Sequence, residues 1–389
     1  MAEPSLTVLR RPSFFRRRGF LFSFTPTAFL AIAGLVSLLV AGHTTLPFEP
    51  VITLEGKIAS KAEFFEDEQV QQMLMRHHIR VHLTQTGSRE IAVHDVDQYD
   101  FVMPSGQPAA DLIVKARPNA VRVYRPFITP LVLATYREYA DTLVDAGIAA
   151  PQGNAGTLYY TLNTERFIDA MQRQVTWRDL LIDRHGIANG NKILAQSPDV
   201  CTSNSAGTYL GVIAFIQNNH SVPQTEAEAD SLAASIKPIL TGQGLPGADL
   251  FAPYVTPEGR GSAPIVVVYE HQYLAYQVQY RARSGRPDND RVLLYPEARF
   301  ETQPQFLALN PRADQLGELI TRDPDLRRRA MELGFRVLDE SGATASGQLG
   351  QFLQQQGVQP PSFAGNDTKT YLPGLDLLER MIKSVGGCS

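Results

Sequence analysis

Thr84-Gln85-Thr86-Gly87-Ser88-Arg89-Glu90-Ile91 is the point at which an alternating strand turns into a helix. Upstream, Ile79, Val81 and Leu83 alternate with Arg80, His82 and Thr84, the period-two pattern of a half-buried strand. Small and hydroxylated residues then turn the chain, and Gly87 allows a ligand to approach the backbone closely. The N–H groups freed where a helix starts, together with the Thr86 and Ser88 hydroxyls, form a ready site for an oxyanion or polar group. Arg89 can add a bidentate contact. An N-cap that binds nothing has the same sequence.

Similar junctions recur along the chain. Val51 to Ile58 reads as a first strand, ending at Ser60-Lys61, and Tyr99 to Met103 as a third, stopped by Pro104-Ser105-Gly106. Between Lys192-Ile193-Leu194-Ala195, read as a strand, and a helix running to about Asn218 lie Ser197-Pro198-Asp199 and Ser203-Asn204-Ser205. A helix is expected over Glu66 to Arg76. Val121 to Tyr124 and Thr129 to Thr135 read as strands, and a helical face follows in Tyr136, Tyr139, Ala140, Leu143 and Val144. Trp177 to Leu181 reads as the start of a short helix, and Gly242 to Gly261, with five glycines and three prolines, as loop. Pro264 to Glu270 and Arg291 to Tyr295 are further strands, and helices follow from about Asp314. Strands alternating with helices predict a parallel or mixed α/β sheet. The order suggests two lobes, residues 43–136 with 262–389 and residues 137–261, joined by strands at Thr129–Thr135 and Ile265–Tyr269. A ligand is expected in the cleft between them.

The N-terminus is a separate object. Arg10, Arg11, Arg16, Arg17 and Arg18 precede an uncharged stretch of 24 residues, Gly19 to Gly42. That is long enough to cross a bilayer as a helix. The one-sided arginine cluster predicts a cytoplasmic segment 1–18, an anchor 19–42 and an extracytoplasmic remainder on the cell membrane. A cleaved signal peptide ending at Val40-Ala41-Gly42 is the rival reading. Without the five arginines and Glu3 the chain keeps 31 basic and 39 acidic residues, a net of −8. Such an acidic body disfavours nucleic acid as a partner.

The chain resembles the bacterial extracellular solute-binding proteins of the type II periplasmic-binding-protein fold, in the membrane-anchored variant common in actinobacteria. The resemblance is carried, in order, by Gly56–Lys61, Thr86–Glu90, Tyr99–Gly106, Thr176–Leu180, Ser203-Asn204-Ser205, Val267–Glu270, Leu294-Tyr295-Pro296 and Gly334-Phe335-Arg336. It implies an α/β, two-lobed, periplasmic-binding-protein-like fold with two crossing strands, here preceded by one transmembrane helix. It also implies reversible capture of a small polar or anionic solute for an ABC-type transporter or sensor, without covalent chemistry. Two features depart from the pattern: no lipobox cysteine follows the apolar run, and Arg89 stands where many anion binders have smaller residues.

The ligand-binding residues expected are therefore Ser60, Thr86, Gly87, Ser88, Arg89, Ser105, Ser203, Asn204, Ser205 and Glu270. Glu270, after a buried-looking strand, is read as a cleft or hinge acid, or as the cap of the next element. No catalytic motif, metal-ligand spacing or cofactor fingerprint occurs, and His77, His78, His82 and His94 span a helix–strand junction rather than one helical face. Trp177 is expected to pack the second lobe. Cys201 and Cys388 can form one bridge if they meet. A tethered interaction or sensory module without a small ligand, working with a transporter or envelope protein, is the alternative function, and an extracytoplasmic hydrolase is a third.

Overall fold

The computed structural model describes residues 28–38, 50–117, 122–153, 156–242, 244, 246–247, 249–338, 346–362 and 368–388. They fall into two compact units, residues 1–52 with 71–80 and residues 53–70 with 81–389. In the first, residues 28–38 are helical, with Phe29, Leu30, Ile32, Leu35, Val36 and Leu38 uncovered. Among the described residues no helix is long and apolar enough to cross a membrane. The rest of the expected anchor, 19–27 and 39–42, lies outside the described residues.

The strands form two larger sheets and one two-stranded ladder, Ala298–Arg299 with Thr368–Lys369, and all their residues but Ile52, Ile79 and Arg80 belong to the second unit. The first sheet is built from β1 (Ile52–Ile58), β2 (Ile79–Gln85), β3 (Phe101–Met103) and β4 (Arg122–Tyr124). Between them run helices α1 (Ala62–Glu66), α2 (Glu68–Arg76), α3 (Ser88–Val93) and α4 (Gln107–Ala116). β1 and β3 are parallel, with Gly56 opposite Phe101 and Ile58 opposite Met103. Their carboxyl ends, Ser60 and Ser105, therefore emerge side by side.

β5 (Phe127–Tyr136) opens the second sheet and is buried at every position, as a strand covered on both faces must be. Helix α5 (Arg137–Asp145), strands β6 (Ala149–Pro151) and β7 (Tyr159–Leu162) and helix α6 (Thr164–Gln172) follow. Helix α7 (Asn204–Gln217) is buried on all sides from Asn204 to Ile216, which its apolar composition permits. After α8 (Glu226–Thr241) come β8 (Ile265–Tyr269), α9 (Glu270–Ser284), β9 (Arg291–Pro296) and β10 (Glu301–Thr302). The chain then returns to the first sheet as β11 (Phe306–Ala308), inserted antiparallel between β3 and β4. Helices α10 (Pro311–Arg322) and α11 (Pro324–Glu332), strand β12 (Arg336–Val337), and helices α12 (Ser346–Gln355) and α13 (Leu375–Gly386) complete it. The architecture is mixed α/β with two larger sheets, as the strand–helix alternation predicts.

Several expectations need correction. β5 and β8 pair antiparallel, from Leu131 opposite Tyr269 to Thr135 opposite Ile265, within the second sheet. After β8, the next strand that joins the first sheet is Phe306–Ala308. Trp177 to Leu181 forms a turn that leads into the expected short helix, a 3-10 helix over Ile182–His185: Asp179 accepts hydrogen bonds from the Thr176 N–H and hydroxyl, and Leu181 adopts a left-handed φ of 60°. Lys192 to Ala195 is extended but belongs to no ladder, only to single bridges at Lys192 and Gln196. Short helices at Phe251–Tyr254 and Gly259–Ser262 interrupt the expected loop. Trp177 is buried edge-on against Tyr139 in the second core.

The C-terminal part is pinned down. Cys201 and Cys388 are disulfide-bonded. Helix α13 buries Leu378, Met381, Ile382 and Val385, and its Arg380 makes a bidentate pair with Asp230 at 2.7 and 2.8 Å.

Candidate functional site

The two sheets meet at a cavity of about 350 Å³. From the first sheet it receives the turns after β1, β2 and β3; from the second, the end of β8 and the start of α7. Ser60, Thr86, Gly87, Ser88, Ser105, Ser203, Asn204 and Ser205 all line it. Eight of the ten residues singled out from sequence thus surround one space, although up to 145 positions separate them in the chain.

The floor is a web of hydroxyls. Ser60 and Ser105 share a hydrogen bond of 2.7 Å between their Oγ atoms, and the Ser60 N–H donates to Ser105 Oγ at 3.2 Å. The Ser105 N–H donates in turn to Ser88 Oγ at 2.9 Å. Across the cavity Ser203 and Ser205 are joined at 2.8 Å. Ser203 caps α7 without a side-chain bond to it, so the first N–H groups of this fourteen-residue helix keep their polarity for the cavity. The Asn204 carbonyl accepts from the Ala109 N–H at 3.4 Å, linking α7 to α4. The Thr86 hydroxyl is committed to Glu90, whose carboxylate also accepts the Gly87 N–H at 3.1 Å. Gly87 is required sterically: a Cβ there would lie 2.5 Å from the Thr202 carbonyl oxygen.

Two residues named from sequence lie elsewhere. Arg89 does not reach the cavity. Its guanidinium makes a bidentate pair with Glu379 of α13 at 2.5 and 2.6 Å, and its N–H donates to the Thr202 carbonyl. Glu270 is fully buried and does not line the cavity. Its carboxylate holds Arg336 at 2.6 Å through each oxygen and accepts the Tyr295 hydroxyl at 2.7 Å. Both are structural ion pairs, because neither charge faces the cavity.

The charge that does lie against the site is Lys61, which the sequence reading passed over. Its side chain is wholly buried beneath the floor. The ammonium donates to Ser60 Oγ at 3.2 Å and sits 3.4 Å from the centre of the Tyr269 ring. Burial disfavours its charged form and lowers its pKa to about 7, against the opposing pull of Glu63. Tyr269 lines the cavity as well. Its buried hydroxyl lies beside the polar side chains of Asn204, Ser205 and Ser105, and burial raises its pKa to about 12 against their opposing pull.

Beside Lys61 stand Glu63 and His271. His271 is buried, and desolvation, then the Lys61 charge, lower its pKa to about 4. It is therefore a neutral imidazole. Its Nδ1 accepts from the Thr129 hydroxyl at 3.0 Å and its Nε2–H donates to Glu63 at 2.5 Å, a tautomer assigned from the His271 N–H donating to Thr129 Oγ1 at 3.3 Å. Burial opposes ionisation of Glu63, but His271 and Lys61 outweigh it and hold the carboxyl below its ordinary value. Glu66 and Asp249 add exposed carboxylates at the rim. Val267, Leu250 and Phe251 supply an apolar wall. Among the described residues no group of three or more histidine, cysteine or carboxylate side chains is placed to hold a metal ion.

No family model matches the sequence, and no curated protein does. Among solved structures the chain is similar to the sulfate-binding protein SubI from Mycobacterium tuberculosis, at 14% identity and TM-score 0.46, covering 84% of this chain and 96% of that one. It is similar to iron-bound HitA from Pseudomonas aeruginosa at 12% identity and TM-score 0.49, covering 86% and 99%. A periplasmic thiamin-binding protein aligns at 8% identity and TM-score 0.49, covering 88% and 98%. These structural neighbours are solute-binding proteins.

Proposed function

We propose that this chain is an extracytoplasmic solute-binding protein that captures a small polar or anionic ligand between its two sheets. The observation that carries the reading is the cavity floor, where Ser60, Ser105, Ser203, Ser205 and Tyr269 converge on one space of about 350 Å³. Pockets of this size take small molecules, and donors fixed in place before binding hold a polar ligand at little reorganisation cost. Residues 19–42 would tether the protein to the cell membrane, in the anchored variant that the sequence resembles, with the arginines on the cytoplasmic side. Two observations support that placement: the uncovered apolar side chains of helix 28–38, and a disulfide, a bond that persists in oxidising compartments. A membrane transporter is the partner such a protein would serve.

A screen of the full-length chain by thermal shift and titration calorimetry tests this, using sulfate, molybdate, acetate, amino acids and sugars. Saturable 1:1 binding is expected, and ligand at a hundred times its dissociation constant should add about 2.7 kcal/mol of stability. No binding to any member sinks the reading.

One observation favours a second function. A lysine amine 3.2 Å from a serine hydroxyl, with a pKa near neutrality, is also the chemistry of a nucleophile and its base. Labelling of Ser60 or Ser105 by a fluorophosphonate probe would turn the assignment toward a hydrolase; an unlabelled protein that binds its ligand reversibly keeps it as a binding protein.

A further inference from the structure

Beneath the cavity floor lies a buried amine that is not itself among the lining residues. The Lys61 ammonium has three protons to donate and gives one to Ser60 Oγ, while the Tyr269 ring covers it at 3.4 Å. From Ser60 the chain of hydroxyls continues to Ser105 at 2.7 Å, and both serines face the cavity. Once the charged amine donates to Ser60 Oγ, that hydroxyl's own proton is directed away from Lys61, toward Ser105 or a ligand. The lysine thus sets which way the floor hydroxyls point.

We propose, resting on the reading of the cleft as a ligand site, that Lys61 is the counter-charge of the bound solute, acting through Ser60 and Ser105. On this proposal the cleft takes up a proton together with an anionic group. The ligand class is a small anion, or a molecule that presents an anionic end to the floor.

The surroundings of Lys61 isolate its titration. On its own segment it faces Glu63; from the start of α9 it faces His271; from β8 it meets the Tyr269 ring. Glu63 is held ionised, His271 is neutral above about pH 5, and Tyr269 is neutral to about pH 12. Glu270, one residue from His271, is locked onto Arg336. Glu66 and Asp249 at the rim are carboxylates on exposed positions. Between pH 6 and 8.5, Lys61 is therefore the group in this cluster that changes charge. When it is neutral, an incoming anion meets only the carboxylates of Glu63, Glu66 and Asp249. When it is charged, it offsets them.

The sign follows from linkage. An anion against the floor favours the charged amine and raises the pKa of Lys61 above its free value of about 7. Affinity is then constant well below pH 7. Above it, affinity falls by up to about tenfold per pH unit until the bound-state value is passed.

The test is calorimetry on the full-length chain with sulfate, molybdate and acetate, none of which titrates between pH 6 and 8.5. Each is measured at both pH values and, at pH 7.5, in Tris and imidazole, which differ in ionisation enthalpy. The expected result is a dissociation constant at least tenfold weaker at pH 8.5 than at pH 6, with roughly half to one proton taken up at pH 7.5. Lys61→Met should bind at least tenfold more weakly at pH 6 and lose the pH dependence. If that variant fails to fold, the buffer dependence of the wild-type enthalpy decides alone. Binding with equal affinity at both pH values and no proton uptake overturns the role of Lys61 and leaves the binding reading standing. No binding of any of the three anions at either pH overturns the role of Lys61 as an anion's counter-charge, while the binding reading itself falls only if the amino acids and sugars fail to bind as well.

Discussion

Arg336→Met should cost about 3–5 kcal/mol of stability, because it strands the Glu270 carboxylate in a site from which water is excluded. Glu270 is fully buried and the Arg336 side chain 5% exposed, with both guanidinium contacts at 2.6 Å. A surface ion pair of the same geometry would contribute at most about 1 kcal/mol. The difference lies in desolvation, which neither charge can recover alone. The paired variant Glu270→Gln/Arg336→Met removes both charges, and it should regain a large part of the loss. Tyr295→Phe, which deletes one hydrogen bond to Glu270, should cost about 1 kcal/mol. Urea denaturation of the four proteins measures all of this. A loss below about 1 kcal/mol for Arg336→Met would show that water reaches the pair, contrary to the packing described. The pair also matters for the cleft, since Glu270 directly follows Tyr269 and anchors the end of β8 that reaches the cavity.

Reduction of the Cys201–Cys388 bond should be as damaging. The cysteines are 187 positions apart, and closing so long a loop in the unfolded chain is worth about 5 kcal/mol in the chain-entropy account, with about 2–5 the usual measured range. The denaturation midpoint of the full-length chain should fall when a phosphine reductant is added. Cys201→Ser/Cys388→Ser should start from the lower midpoint and ignore the reductant. Equal midpoints with and without reductant would mean that α13 is held by its ion pairs and apolar face alone. A second consequence concerns the site: Cys201 lies two residues before Ser203, so the bond also fixes the approach to the start of α7.

The cavity was legible in the sequence because its chemistry is local. A strand that ends in Ser60, Ser105 or Thr86-Gly87-Ser88 announces a polar turn wherever it occurs, and strand ends on one edge of a sheet converge whatever the loops do. The charges were not legible, because a charge takes its role from a partner. Arg89 reads as a ligand contact until Glu379, 290 residues later, claims it. Glu270 reads as a cleft acid until Arg336 does the same. Lys61 stands in the sequence only as the neighbour of Ser60 at a strand end, and the packing of Tyr269 over it reveals a buried amine. Strands failed where length was short or partners were distant. Phe306–Ala308 has three residues and pairs with strands about 200 positions earlier. Lys192–Ala195 has strand-like residues but finds only isolated bridges. Trp177–Leu181 looked helical by composition, yet Asp179 hydrogen-bonds to the backbone of its own turn, as short polar side chains readily do.

Native mass spectrometry of the full-length chain, purified gently from its own host, is the most direct test of ligand capture in the cleft. A discrete small adduct is expected, lost on denaturation and absent from Ser105→Trp, in which an indole fills the floor of the cavity. An unliganded mass for the wild-type chain, unchanged after incubation with an extract of growth medium, would contradict it and point to a tethered interaction module with an empty cleft.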